Sequence, residues 1–218
     1  KLMCRKNIAI LLFLFCCVVL YGQEPVKLQQ KNAIYYNKKG WESLETGNAY
    51  SAIIAFQSAL AQNPKYKEAL LGLGYAYLHT EGYTESVKLF DAVLKLYPNN
   101  EQALLGMAKA YTGLGRYREA MKIYDTLNEL SYTNNDSRYG MAYLYYKMGN
   151  MLWAKRMLNR ILQNDPYYYD ALLLLADIKA KDKRFDDAID LVKKAIDAKE
   201  TYPDAFVKLA ELLYLKYY

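Results

Sequence analysis

Apolar residues recur along this chain at helical spacing, and that spacing itself returns at a fixed interval. Leu70, Leu73 and Tyr77 make one apolar face; Val87, Phe90, Val93 and Leu94 make another. Steps of three and four mark helices, because a half-buried strand would alternate. Between the two faces lies a short run of turn residues, Glu81-Gly82, matched one interval later by Leu114-Gly115-Arg116. The pattern predicts pairs of antiparallel helices. The stretch EALLGLGYAYL, Glu68 to Leu78, returns as QALLGMAKAYT, Gln102 to Thr112, and more faintly as DALLLLADIKA, Asp170 to Ala180. The first two copies start 34 residues apart, and the third starts 68 after the second.

At that period residues 33–218 divide into units of 34 beginning at Ala33, Lys67, Glu101, Asn135 and Tyr169, with a partial sixth from Pro203. The repeats are thus 33–66, 67–100, 101–134, 135–168, 169–202 and 203–218, preceded by a linker over 23–32. Small residues hold the eighth place of every unit: Gly40, Gly74, Ala108, Ala142, Ala176 and Ala210. A second small series, Ala52, Ser86, Ala120, Ala154 and Ala188, stands at the twentieth place. Four places on come Phe56, Phe90, Tyr124, Leu158 and Val192. Pro64, Pro98 and Pro166 share the thirty-second place. Proline lacks the amide and disfavours helical geometry before it, so it ends the second helix. Where two helices cross closely, a large side chain would hold the backbones apart, which explains the small series.

These residues resemble the tetratricopeptide repeat family, whose pattern is W-x-x-L-G-x-x-Y, then A-x-x-x-F, then P. The second unit carries Leu70, Leu73, Gly74, Tyr77, Ser86, Phe90 and Pro98; the third carries Leu104, Met107, Ala108, Tyr111, Ala120 and Tyr124. Tyr132 and Glu200 replace the proline in two units, and Arg138 takes the aromatic fourth place of the fourth. The resemblance implies an all-α fold, a right-handed superhelical solenoid of five full helix-pair repeats and a partial sixth. Stacked pairs each cover an apolar face of the next, and such arrays need a polar terminal cap. Leu212, Leu213, Leu215, Tyr217 and Tyr218 make a poor one. The expectation is a chain that continues or a surface that a partner covers.

Composition sharpens the picture in two places. There are 24 tyrosines among 218 residues; a ring with a polar tip suits half-buried surfaces such as grooves. The N-terminus has Lys1, Arg5 and Lys6 before an unbroken apolar run from Ile8 to Leu20. A basic start, a short apolar core and Gly22 before a polar stretch read as a signal peptide over 1–22. The run falls short of the roughly 20 residues that span a bilayer. The chain is therefore expected to be exported, to the periplasm or cell envelope of a bacterium. Membrane association is expected only through an uncleaved leader. All three cysteines lie within the leader, so the mature chain would lack thiol chemistry and disulfides. The leader also holds three of the 29 basic residues, leaving 26 against 23 acidic ones. An excess that small gives no reason to expect a nucleic-acid partner.

Catalytic motifs are absent: no Gly-Lys-Ser/Thr loop, no His-Glu-x-x-His and no Gly-x-Ser-x-Gly occurs. His79 is the only histidine, so a histidine pair for metal or proton relay cannot form. Asp186, Asp187 and Asp190 beside Lys193 and Lys194 read as a solvated face with pairs four residues apart. The chain is expected to be non-enzymatic, with no cofactor and no metal.

In the family, first helices line the concave face, and places 2, 5, 9, 12 and 13 point into the groove. Carried over, this implies Asn37, Trp41 and Leu44, then Leu71, Tyr75, Leu78 and His79. Leu105, Lys109 and Thr112 follow, then Tyr139, Tyr143, Tyr146 and Lys147, then Asp170, Leu173, Asp177 and Lys181, and last Asp204 and Glu211. Trp and Tyr are enriched in binding hot spots, so a protein or peptide is the expected partner. The bland alternative is that some of these rings merely pack between neighbouring first helices. Tyr167-Tyr168-Tyr169 reads equally as a rim contact or as a wedge between units. Co-chaperone members clamp a carboxylate with Lys and Asn on the first helix, but the matching places hold Asn37 and Trp41, Leu71 and Tyr75, Leu105 and Lys109. That activity is not expected. The leading expectation is an interaction scaffold. Its rivals are a structural subunit permanently buried in a larger envelope complex and a regulatory arm of a longer enzyme.

Overall fold

The computed structural model describes residues 27–130, 135–198 and 203–217. The leader over 1–22, its cysteines, and Tyr132 and Glu200 lie outside them. Every described element is a helix. The first, α1, runs through 27–45. There follow α2 (Ala49–Gln62), α3 (Lys67–His79), α4 (Tyr83–Leu96), α5 (Glu101–Gly113), α6 (Tyr117–Leu130) and α7 (Asn135–Lys147). The last four are α8 (Met151–Asn164), α9 (Tyr169–Lys181), α10 (Phe185–Ala198) and α11 (Pro203–Tyr217). Residues 27–32, read as linker in the sequence, are helical. Lys27, Leu28, Gln29, Gln30 and Lys31 are all good helix formers, and Pro25 lies upstream of them.

The turn inside each repeat has one construction. A single residue with positive φ stands at the fifteenth place: Gly47 (77°), Glu81 (60°), Gly115 (71°), Gly149 (78°) and Lys183 (61°). The next amide reaches back to the carbonyl five residues earlier, as in Asn48 N to Ser43 O at 2.8 Å and Arg184 N to Lys179 O at 2.9 Å. This satisfies carbonyls that the helix end leaves open and reverses the chain. The following helix is then capped in two repeats by an asparagine: Asn48 Oδ1 accepts from Ser51 N at 3.1 Å, and Asn150 Oδ1 from Trp153 N at 3.3 Å.

The chain divides into two compact units, Lys1–Gly106 and Met107–Tyr218. In the first, α2 packs on α3 and α3 on α4. Phe56 and Phe90 are fully buried. A Cβ on Gly40 would stand 2.5 Å from the Phe56 ring, and one on Gly72 would stand 2.3 Å from it. Gly74 and Gly106 hold Phe90 in the same way, at 2.8 and 2.2 Å. The bulky twenty-fourth place therefore presses into the eighth place of its own repeat and the sixth place of the next.

In the second unit α6 packs on α7, α7 on α8, α8 on α9, α9 on α10 and α10 on α11. Tyr124 takes the phenylalanine's place, 2.2 Å from where a Cβ on Gly140 would be. The next repeat has Leu158 at the twenty-fourth place and Leu174 at the sixth of its successor, both in one apolar cluster. Sizes trade across the contact: a ring meets glycine, and a leucine meets a leucine. The buried polar side chains Ser86 and Arg138 are hydrogen-bonded. Ser86 Oγ donates to Gly74 O at 2.9 Å, joining the two helices of one repeat. Arg138, at the family's aromatic place, is buried and its Nη1 donates to Asn135 Oδ1 at 3.3 Å.

Candidate functional site

In the first unit, the repeat places Trp41 on α1 and Tyr75 on α3 over the two buried phenylalanines. Trp41 meets Phe56 edge to face, with centroids 5.5 Å apart, and Tyr75 meets Phe90 at 5.2 Å. The two upper rings lie 6.4 Å from each other. The Tyr75 hydroxyl donates to Gln102 O at 2.8 Å, which fixes the ring. Asn37 lies beside the Tyr66 hydroxyl, to which it hydrogen-bonds. His79 is exposed at the end of α3. Leu71 differs from expectation. At 3% exposure it belongs to the packing and offers a partner almost nothing. Leu105 is half-buried.

The second unit holds a denser arrangement. Tyr139, Tyr143 and Tyr146 stand at steps of four and three on α7, which puts them on one face. Tyr139 stacks on Tyr143 at 6.4 Å and 28°, and Tyr143 lies 6.4 Å from Tyr146 at 30°. Tyr168, the residue before α9, extends the row, 6.1 Å from Tyr139. All four rings rest partly on the core beneath and keep an open side. The family-implied set contained the three α7 rings. Tyr168 joins them because α9 packs beside α7, a juxtaposition that spacing along one helix cannot show.

The row has charged ends of opposite sign. At one end Tyr168 donates its hydroxyl proton to Asp136. Burial, this bond and the Asp136 charge push the Tyr168 hydroxyl well above its ordinary range. Burial does the same to Tyr139, assisted by Asp170, Tyr143 and Asp177. At the other end the Lys147 amine lies 5.3 Å from the Tyr143 ring centre, and the Lys181 amine 4.1 Å from that of Tyr146. A hydrogen bond to the Tyr143 hydroxyl holds the Lys147 amine above its usual value. Cations over ring faces are attracted by the ring quadrupole. Asp177 is half-buried in an ion pair with Lys208. Lys109 is exposed. The acidic face of α10 pairs otherwise than expected: Asp187 binds Lys179 and Arg184, and Asp186 binds Lys216. No group of three or more metal-ligating side chains occurs among the described residues. No described helix is long and apolar enough to cross a membrane.

A strip of half-open rings with a cationic end suits the side chains of another polypeptide. Helix pairs repeated in sequence, with such strips on their first helices, define a repeat-type interaction scaffold. Two models of the tetratricopeptide repeat match the chain, one over residues 81–142 and the other over 37–101 and 139–203. The chain belongs to the tetratricopeptide repeat family. No curated protein matches it in sequence. Solved structures agree on the fold. A thermophilic TPR protein of Thermus thermophilus is 18% identical, with 84% of this chain and 99% of that one covered at a TM-score of 0.77. PilW, a widely conserved type IV pilus biogenesis factor, is 20% identical over 85% of this chain and 89% of its own, at 0.67. YrrB, a TPR protein with an unusual peptide-binding site, is 18% identical over 85% and 95%, at 0.53.

Proposed function

We propose that this protein is a non-catalytic adaptor of an exported compartment, the periplasm or cell envelope, that holds a partner polypeptide on its first helices. The observation that carries this is the row Tyr168–Tyr139–Tyr143–Tyr146 with Lys147 and Lys181 at one end. Rings already held by stacking lose little freedom on binding, so contact area is gained at low entropic cost. An apolar or aromatic side chain of the partner lies on the rings, and an acidic group meets the two lysines. Export rests on the basic start and the apolar run from Ile8 to Leu20. A peptide-binding relative and a pilus-biogenesis relative of the same fold are in keeping with an envelope adaptor.

The test is crosslinking capture from the native host with the wild type and with Tyr143→Ala/Tyr146→Ala. A specific protein recovered by the wild type and weakened about tenfold or more in the variant supports the reading. Equal recovery by both moves the site elsewhere. A second reading, a structural subunit of an envelope complex, is favoured by the exposure of Phe206, Val207, Tyr214, Leu215 and Tyr217 on α11. Large apolar side chains gathered exposed on one helix are the kind of surface a partner covers. Sizing the purified chain separates the two, because a buried subunit self-associates when alone.

A further inference from the structure

The adaptor reading uses α7 and α9. A different surface lies on α8, the second helix of the fourth repeat. Ala154, Leu158 and Ile161 turn into the core. On another side Leu152, Lys155, Arg156, Asn159, Arg160 and Gln163 stand at alternating steps of three and one and line one open face of the helix. The helix carries three basic residues and no acidic one. Beyond the leader, the 26 basic residues exceed the 23 acidic ones by three. The net charge of α8 equals that excess.

The head of the stripe is apolar and open, with Leu152 76% exposed. Beside it the Arg156 guanidinium lies 5.2 Å from the Trp153 ring centre, and that indole stacks on Tyr145 at 6.0 Å and 27°. A stacked guanidinium keeps its N–H edge aimed in one plane, the geometry that takes a carboxylate with two hydrogen bonds. Lys155 is tied to Asp182. From Leu152 to Gln163 the stripe is about 16 Å long at ~1.5 Å per residue.

We propose that this stripe is a second docking surface, and that it takes an acidic amphipathic segment of a partner protein. The carboxylates of the segment meet Arg156 and Arg160, and an apolar side chain covers Leu152. A membrane is the poorer occupant. Interfacial helices bind by inserting their apolar face, and the apolar face of α8 is already buried in the core. A second copy of this chain fits less well too, because two of the acids on α10, Asp186 and Asp187, already have lysine or arginine partners.

The experiment is fluorescence anisotropy on the full chain with a labelled peptide of about twelve residues, long enough to match the stripe as a helix. The peptide carries Leu and Glu in helical alternation, and its control has Gln for every Glu. The expected result is saturable binding of the acidic peptide, at least tenfold weaker binding of the control, and a weakening with added salt. Arg156→Glu/Arg160→Glu is expected to cut affinity at least tenfold. Both side chains are exposed and circular dichroism checks the fold; the milder Arg156→Gln is expected to lose about threefold. Tyr143→Ala/Tyr146→Ala is expected to leave this binding unchanged, which separates the surface from the tyrosine row. Equal binding of both peptides overturns the proposal, as does loss of binding in the tyrosine variant. Phosphatidylglycerol vesicles that outcompete the peptide in an Arg156-dependent way would replace it with a lipid surface. Sedimentation showing a dimer abolished by the double charge reversal would replace it with self-association.

Discussion

Gly72→Ala tests the packing rule directly, because two effects on it have opposite sign. In a helix interior alanine is favoured over glycine by about 1 kcal/mol. If only propensity mattered, the variant would melt higher. The new methyl, however, would stand 2.3 Å from Cζ and 2.4 Å from Cε1 of Phe56. That ring is fully buried and also lies against Gly40, so it has little room to step back. Overpacking costs about 1–3 kcal/mol, and so close a contact with a fully buried ring belongs at the top of that range. The net is a loss of about 2 kcal/mol. For a chain of this size about 2–4 °C accompanies each kcal/mol, so Tm should fall by about 4–8 °C in a circular dichroism or calorimetric melt. Phe56→Leu alone is also expected to destabilise, by loss of ring contacts. Combined with Gly72→Ala it should cost at least ~1 kcal/mol less than the two changes added, because residues in contact couple. A Gly72→Ala chain that melts above the wild type, or an additive double variant, would refute this packing rule.

Further expectations follow from the same contacts. Lys183→Gly should raise Tm modestly, by roughly 1 kcal/mol of relieved strain, because Lys183 sits at φ 61° where glycine serves three sister turns; an unchanged or lower melt would count against it. Ala120→Leu, at a fully buried small place, should lose about 1–3 kcal/mol by overpacking, and an unchanged melt would contradict the 34-residue register. Tyr124 is buried, which pushes its hydroxyl above the ordinary value even though it bonds to Thr112. A raised folded value means the stability is intact below the unfolded value of about 10 and is lost as pH climbs beyond it, at about 1.4 kcal/mol per pH unit. Alkaline unfolding followed by tyrosinate absorbance should therefore move to higher pH in Tyr124→Phe, relative to its own neutral stability. Ser86→Ala should lose about 0.5–1.5 kcal/mol with its hydrogen bond to Gly74, measured in a urea melt.

The repeat was legible in the sequence because close packing imposes the same limit on size every 34 residues. Ala52, Ala120, Ala154 and Ala188 are all fully buried, as that limit requires. The sixth place is not legible in the sequence for the opposite reason. It holds Gly72, Gly106 and Gly140 but then Leu174, so it shows no constant residue. It follows the size of a side chain some sixteen residues earlier, a relation visible only once the touching pair is known. The placement of the candidate rings was legible in part. Steps of four and three along α7 placed Tyr139, Tyr143 and Tyr146 on one face, and Trp41 met Tyr75 over paired phenylalanines. Leu71 and Tyr168 were not readable that way. Burial of the first and recruitment of the second depend on the neighbouring helix, and a register taken one helix at a time carries no such information.

The succession of three ring-on-glycine joints and one leucine-on-leucine joint bears on how the array can be edited by recombination. Loss of residues 67–100 would bring Phe56 to Gly106, a joint of the kind already present, whereas loss of 135–168 would drive Tyr124 into Leu174. Deletion of the second repeat thus keeps a matched joint, and deletion of the fourth makes a clashing one. The repeats are not interchangeable bricks, and the order in which they stand is inherited as a set of matched joints.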